Sequence, residues 1–357
     1  MTRILVALLG LIGLATPALS QGLDTRRIDG LAELAGFNGL ILISQGDTII
    51  YAGAHGEVRP GSGERHRLDS RWRWASITKQ IVATLAMREV AAGRLDIDTP
   101  IAEYWPDFPN ANRDTLTARH LLQHMSGLPD PESTQVEPGS VPEFYSIDGT
   151  LDISPSGFCA GPNRTTPGST YSYTNCDYVV LGGVIERVSG QSLDQLAADL
   201  FPANHAFYPQ GQPTISGYHH DQPEPPVNFA SYGGAGSMNG TIHDLWRFDR
   251  ALMRGELLPA NLRDEMWTGD PAIGYVALGQ WVFPAPLAGC REPQRLVERP
   301  GAIIGVQGRN YLLPELDMAI ILFTNRSEGE FPLGHIAHEQ AFGFDVVSAA
   351  VCRGQSE

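Results

Sequence analysis

Charge is sparse in this sequence, and positive charge never gathers. Asp, Glu, Lys and Arg make up 18% of the 357 residues. No cluster of Lys or Arg forms the basic stripe that a nucleic-acid backbone requires. The formal net charge of −15 argues the same way, although acidity alone names no substrate. Neither C-x-x-C nor H-E-x-x-H occurs, which leaves a zinc site with little support. The run Gly233-Gly234-Ala235-Gly236-Ser237 lacks a following Gly-Lys-Ser/Thr, so it is not a nucleotide loop and is expected to allow tight packing. His219-His220-Asp221 offers ligand-type residues. Adjacent side chains diverge, however, and the surrounding prolines point to an exposed loop.

Long hydrophobic runs are equally few. The N-terminal one, residues 4–15, is too short for an ordinary membrane-spanning helix. Arg3 precedes it and Ala18-Leu19-Ser20 follows, the layout of a secretory signal peptide cut after Ser20; an uncleaved anchor is the minor alternative. No cysteine sits beside that point, so lipid attachment there is unsupported. The mature chain is expected in the periplasm or outside the cell, with no stable membrane span. Cysteine is limited to Cys159, Cys176, Cys290 and Cys352. An oxidising compartment permits disulfides, and Cys159 with Cys176, closing a local loop, is the preferred pair.

What remains is a core-forming sequence. An apolar fraction of 42% argues against disorder, and the length suits two ordinary domains or one composite one. Residues 28–34 read as a short helix. Residues 38–44 and 48–52 read as strands joined by Gln45-Gly46-Asp47, too tight a link for a crossover helix. Residues 95–104, 117–124, 177–188 and 192–201 suit helices, whereas 126–170 and 208–227 are Gly- and Pro-rich excursions. Another helix is expected at 241–252. Strands are expected at 275–283, 295–300, 303–313 and 318–323, with a terminal helix at 331–350 that Gly343 weakens. The fold class is therefore α+β: an antiparallel sheet flanked by helices. Residues 21–93 and 231–357 would build the sheet-containing domain, with a mainly helical, loop-rich region, 94–230, inserted.

One segment joins burial to chemistry. Apolar residues recur at Ile77, Ile81, Val82, Leu85, Ala86, Val90 and Ala91, the spacing of a largely buried helix that Gly93 stops. If the helix starts near Ser76, then Ser76 and Lys79 share one face. An amine beside a hydroxyl suits a nucleophile and its proton acceptor. S-x-x-K is a recognised serine-nucleophile pattern, but a short one. The alternative is a capping serine and a solvated lysine.

Further segments follow in order. They are Leu121-Leu122-Gln123-His124-Met125-Ser126-Gly127-Leu128-Pro129, Pro167-Gly168-Ser169-Thr170-Tyr171-Ser172-Tyr173-Thr174-Asn175, the run from Gly182-Gly183 to Ser189-Gly190, and Ile320-Ile321-Leu322-Phe323-Thr324-Asn325-Arg326. With Ala75-Ser76-Ile77-Thr78-Lys79-Gln80 they resemble the serine beta-lactamase and penicillin-binding protein superfamily. The resemblance is closest to its class C beta-lactamase-like branch, which includes esterases, D-alanyl-D-alanine carboxypeptidases and D-aminopeptidases. It implies Ser76 as nucleophile and Lys79 as its activating partner. Tyr173 and Asn175 match the family's Y-x-N element. Tyr173 would move the proton between Ser76 and the leaving group, and Asn175 would orient Lys79 or bind a substrate amide oxygen. Ordinary packing and turn capping are the alternative for both. The resemblance also implies an oxyanion hole from the backbone N–H groups of Ser76 and Ala302. The scheme passes through an acyl-enzyme released by water, and it requires no metal or cofactor.

The family's third element, K-T-G or H-x-G, is replaced by Arg299-Pro300-Gly301. Gly301 would permit close substrate approach. Arg299 would either face a carboxylate-bearing substrate or point away to solvate the rim. Pro300 lacks a hydroxyl and a backbone donor. This departure turns the expectation toward small esters, amides or D-amino-acid peptides and away from efficient beta-lactam destruction, while beta-lactam acylation stays open. A beta-lactamase or D-alanyl-D-alanine carboxypeptidase is the same-fold alternative, and a noncatalytic envelope binding protein is the alternative of another class. His124 is expected to serve packing and turn support. Trp72, Trp74, Tyr171, Tyr232 and Trp281 would border the cleft or complete cores.

Overall fold

Strands from opposite ends of the chain meet in one sheet. The structure, a computed structural model, describes residues 23–136, 140–201 and 214–352. The expected signal segment lies outside that range, as does part of the 208–227 excursion. Helix α1 (Thr25–Ala35) is capped by the Asp24 side chain and stopped by Gly36 at φ 64°. It leads into β1 (Gly39–Gln45) and β2 (Thr48–His55). The short β3 (Trp72–Arg73) precedes α2 (Thr78–Ala91). The inserted region supplies α3 (Ala118–Leu122), α4 (Asn175–Ser189), α5 (Leu193–Leu200), β4 (Tyr218–His219) and β5 (Gln222–Pro223). Then come α6 (Gly233–Gly236), β6 (Asn239–Gly240), α7 (Ile242–Met253) and α8 (Ala260–Met266). The last part holds β7 (Trp281–Ala285), β8 (Gln294–Ile303), β9 (Val306–Leu313), β10 (Met318–Thr324) and α9 (Phe342–Val351).

The main sheet is antiparallel with order β2-β1-β10-β9-β8-β7. The fold is thus α+β, with helices on both faces and a mostly helical insertion. Strand β1 shows why both chain ends are needed. Side chains alternate across a strand: Leu40 and Leu42 join the core around α2, while Ile41 and Ile43 join the core beneath α1 and α9. Helix α2 carries apolar residues all round and is accordingly enclosed, Lys79 and Gln80 included.

Several expected boundaries move, each for a local reason. Residues 275–283 are not one strand, because Tyr275 and Gly279 take positive φ and regular pairing begins at Trp281. No break follows Pro300. Strand β8 runs through it to Ile303, since β7 pairs only with residues 294–298 and leaves the following stretch without that neighbour. The terminal helix is confined to Phe342–Val351, because Pro332 and Gly334, the latter at φ 75°, break the earlier pattern. Ser76 sits in a 3-10 turn (Ala75–Ile77) just before α2 rather than inside it.

Cys159 bonds Cys176, and Cys290 bonds Cys352. Linking residues 17 and 62 positions apart restricts the unfolded chain by about 3 and about 4 kcal/mol in the chain-entropy picture.

A buried acid makes the core sensitive to pH. Asp249 on α7 is fully enclosed and accepts from Asn310 Nδ2 at 2.8 Å. Asp249 Oδ2 and Asn310 Oδ1 lack partners among the described residues, and burial raises the carboxyl well above 3.8. The folded state therefore favours the neutral acid, whose proton would serve such orphaned oxygens. Above 3.8 the unfolded chain ionises while folded Asp249 resists, so stability falls as pH rises through the folded value. Asp249→Asn keeps a donor without a charge. The lead of its thermal midpoint over the wild type is expected to widen by a few degrees between about pH 4 and about pH 7. A lead that stays constant over that range would contradict a neutral Asp249.

Candidate active site

Ser76 stands where β8 crosses the turn before α2. Ala75 ahead of it holds φ 49°, a left-handed backbone that costs an L-residue energy and persists only where the surroundings enforce it. Here Trp74 and Ile77 are fully buried, and Trp74 N bonds the Met238 carbonyl at 2.9 Å. A Cβ on Gly301 would lie 2.5 Å from the Trp74 carbonyl oxygen and 3.1 Å from Ser76 N. Glycine is needed because the chain's own backbone makes the close approach. Ala302 follows on the same stretch of β8.

Lys79 reaches Ser76 from the first turn of α2. Its Nζ donates to Ser76 Oγ at 3.0 Å, Asn175 Oδ1 at 2.7 Å and the Ala235 carbonyl at 2.8 Å. Three acceptors thus meet three ammonium hydrogens. Burial, opposed by the charge on Tyr173 and aided by Arg299, lowers Lys79 from 10.5 to about 8, roughly 3 kcal/mol of lost preference for the ammonium. The alternative of a solvated lysine does not apply.

Tyr173 OH donates to the same Oγ at 2.9 Å and accepts from Arg299 Nη2 at 2.9 Å. Burial alone would push the phenol up, but the Lys79 and Arg299 charges overcome it and bring it down to about 8. These values belong to the pair, since a proton lost by one group makes the other hold its own more tightly. One proton is therefore available near neutral pH, and the group that has lost it can take the Ser76 proton. A serine hydroxyl needs such a partner.

Arg299 does not solvate a rim. It is almost wholly buried, with its guanidinium carbon 5.7 Å from the Tyr173 ring centre and 5.2 Å from that of Trp281. Its Nε donates to the Ser76 carbonyl at 2.7 Å. The planar fork holds the Ser76 backbone and the Tyr173 hydroxyl together, which a lysine ammonium is poorly shaped to do. Asn175 opens α4 behind the Thr174 cap, and its Nδ2 donates to Tyr145 OH at 2.7 Å.

Ser76 faces a cleft of about 320 Å³ whose lining includes Tyr171, Trp281, Arg299, Pro300, Gly301, Ala302 and His335. An adjoining volume of about 680 Å³ shares Tyr171, Trp281 and His335 and adds Met125, Glu298 and His338. A separate cavity of about 630 Å³ beside α4, bordered by Val179, Gly183 and Phe229, holds none of the candidate catalytic groups. Trp72 and Trp74 are core residues, and Tyr232 stacks on Tyr145.

Three contributors had little sequence signal. Ala235 offers only a carbonyl, on the turn formed by the glycine run. Tyr145 lies in an irregular segment. Asp177 joins His124, whose ring lies 4.2 Å from that of Tyr173 and whose Nδ1 is 2.8 Å from the Asp177 carboxylate; Ser126 donates to the same carboxylate. His124 therefore packs directly behind a candidate catalytic residue. One strong signal was compositional: Lys79 is the only lysine in the sequence. His219 Nδ1 meets Ser327 Oγ, the His220 backbone N–H donates to Glu330, and Asp221 accepts from Arg326. No group of three potential metal-binding His, Cys, Asp or Glu residues occurs among the described residues.

A family model described as Beta-lactamase matches residues 17–342. The chain belongs to the beta-lactamase family. Esterase EstB of Burkholderia gladioli is 30% identical, aligned over 86% of this chain and 91% of EstB. The D-alanyl-D-alanine-carboxypeptidase/endopeptidase AmpH of Escherichia coli strain K12 is 26% identical over 50% of this chain and 46% of AmpH. D-amino acid amidase from Ochrobactrum anthropi SV3 shares the fold with a TM-score of 0.72 at 20% identity, over 92% of this chain and 97% of that one. The beta-lactamase and penicillin-binding superfamily to which the chain belongs therefore includes relatives named as an esterase and a carboxypeptidase, and its fold is shared by a D-amino acid amidase.

Proposed function

We propose that the chain is an exported serine hydrolase that cleaves an ester or amide through an acyl-serine intermediate, with esterase or peptidase-like action. The observation that carries this reading is the convergence of Lys79 Nζ and Tyr173 OH on Ser76 Oγ at 3.0 and 2.9 Å. Ser76 Oγ attacks the carbonyl while its proton passes to the deprotonated member of that pair. The carbonyl carbon's bond to the leaving oxygen or nitrogen breaks as the leaving group takes the proton. Water then hydrolyses the acyl-serine through the same relay. The N–H groups of Ser76 and Ala302 hold the oxyanion. Asn175 orients Lys79, Arg299 holds Tyr173, and Gly301 with the cleft walls receives the substrate. Similarity to EstB supports the ester side of the reading.

The two disulfides support an oxidising compartment, so we place the mature protein in the periplasm or outside the cell after removal of residues 1–20. No helix of the described residues is long and apolar enough to cross a membrane. We further take 21–93 with 231–357 as one unit and 94–230 as another, with the site between them. Purified protein is expected to hydrolyse short-chain activated esters, and Ser76→Ala to lose at least about 10³-fold in kcat. No turnover across ester and D-peptide panels would overturn the enzymatic reading in favour of a noncatalytic binding protein.

A further inference from the structure

We propose that the volume adjoining the Ser76 cleft is a substrate subsite, in which the Glu298 carboxylate takes an ammonium group carried several atoms from the scissile carbonyl. The inference deepens the hydrolase reading given above and rests on it. Glu298 lies on β8 next to Arg299, whose side chain reaches the Ser76 carbonyl and Tyr173 OH. Side chains alternate across a strand, so Glu298 turns to the other face, beside its register partners Trp281 on β7 and Tyr311 on β9. It borders the volume of about 680 Å³ and not the cleft of about 320 Å³ at Ser76. The two share Tyr171, Trp281 and His335 as walls. A substrate held at Ser76 can therefore extend past these three residues to Glu298.

Glu298 lacks a cation. It is 1% exposed, and the Ile336 N–H donates to its Oε1 at 3.2 Å. No side chain donates to or pairs with the carboxyl among the described residues. The charges nearby are engaged elsewhere. Arg299 is held as above, and Arg309, also 1% exposed, donates to the Gly334 carbonyl at 2.6 Å and to Glu328 at 3.1 Å. Tyr311 OH makes no hydrogen bond among the described residues. Burial raises the Glu298 carboxyl from 4.5 to about 7, against the pull of Arg309, the Ile336 and Ala337 N–H groups and Arg299. An enclosed carboxylate without a cation is costly, and a ligand ammonium entering the volume supplies the missing charge. Burial, aided by Arg309 and Arg299, lowers His335 to about 4, so its ring adds no competing charge at neutral pH. The Tyr171 and Trp281 rings suit the carbon chain behind a cation. The competing reading is that Glu298 only pins the loop at Ile336.

The probe is 2-phenylethylammonium, with 2-phenylethanol as its neutral counterpart. Each is titrated into the protein at about pH 8.5, where Glu298 is ionised, by ligand-observed NMR and as an inhibitor of activated-ester hydrolysis. The ammonium is expected to bind at least about tenfold more tightly than the alcohol. Glu298→Gln keeps an acceptor for the Ile336 N–H and removes the charge. It should weaken the ammonium at least about tenfold and the alcohol less than about twofold. In the wild type the preference should fade below about pH 6 as the carboxyl takes a proton, a change that Glu298→Gln should not show. Equal affinities for the two probes in the wild type, or a preference that Glu298→Gln retains, would overturn the subsite and leave Glu298 as the pin of the loop. Should the variant not fold, the wild-type preference and its loss below about pH 6 decide the question. If the wild type turns over no ester, it is the hydrolase reading that fails, and the NMR titrations still decide whether Glu298 takes an ammonium.

Discussion

Lys79→Met is expected to lower kcat on an activated ester by about 10²–10⁴-fold, the share a positioned proton acceptor supplies. Methionine approximates the buried length of the side chain and removes an ammonium that burial already disfavours. The fold is therefore expected to persist, although Asn175 Oδ1 and the Ala235 carbonyl lose their donor. The same site sets a pH profile. In the wild type kcat should climb with pH and level off above about 8, where the Lys79–Tyr173 pair gives up one proton. Below that point the fraction of enzyme with a free acceptor falls about tenfold per pH unit. Full activity in Lys79→Met, with a flat wild-type profile from about pH 6 to 9, would remove the lysine from the mechanism.

The second large effect concerns Arg299. Its charge lowers both Lys79 and Tyr173, so removing it lets both groups hold protons more tightly. Arg299→Gln is expected to move the rising limb up by about one unit and to cost about tenfold in kcat at pH 7. Further loss would come from the bonds to the Ser76 carbonyl and Tyr173 OH. Arg299→Lys separates charge from shape: the limb should stay near its wild-type position while kcat falls, because one ammonium cannot reproduce the fork. Steady-state profiles of both variants provide the check. An unchanged limb with a raised KM for carboxylate-bearing substrates alone would instead assign Arg299 to substrate binding.

Much of this was legible in the sequence because it is local. Short apolar runs rich in β-branched residues mark β1 and β2, and their Gly46 turn dictates an antiparallel pair. The S-x-x-K and Y-x-N spacings point to Ser76, Lys79, Tyr173 and Asn175, which the fold brings together from α2, its preceding turn and the start of α4. What escaped depends on distant contacts or on backbone atoms. Nothing around Tyr145 says that its hydroxyl will meet Asn175, and no residue type announces that the Ala235 carbonyl will accept from Lys79. The direction of Arg299 depends on the face of β8 that meets the Ser76 turn, a tertiary placement that composition does not encode. The expected terminal helix was drawn too long at its start because apolar content outweighed Pro332 and Gly334. The 275–283 strand failed because positive φ at Tyr275 and Gly279 interrupts an otherwise strand-like run.

The most direct test of the central claim is the site of covalent capture. Mature protein treated with a fluorophosphonate, digested and mapped by mass spectrometry is expected to carry an adduct on Ser76 that Ser76→Ala lacks. An adduct on another serine, or ester turnover with Ser76 unmodified and replaceable, would contradict the account.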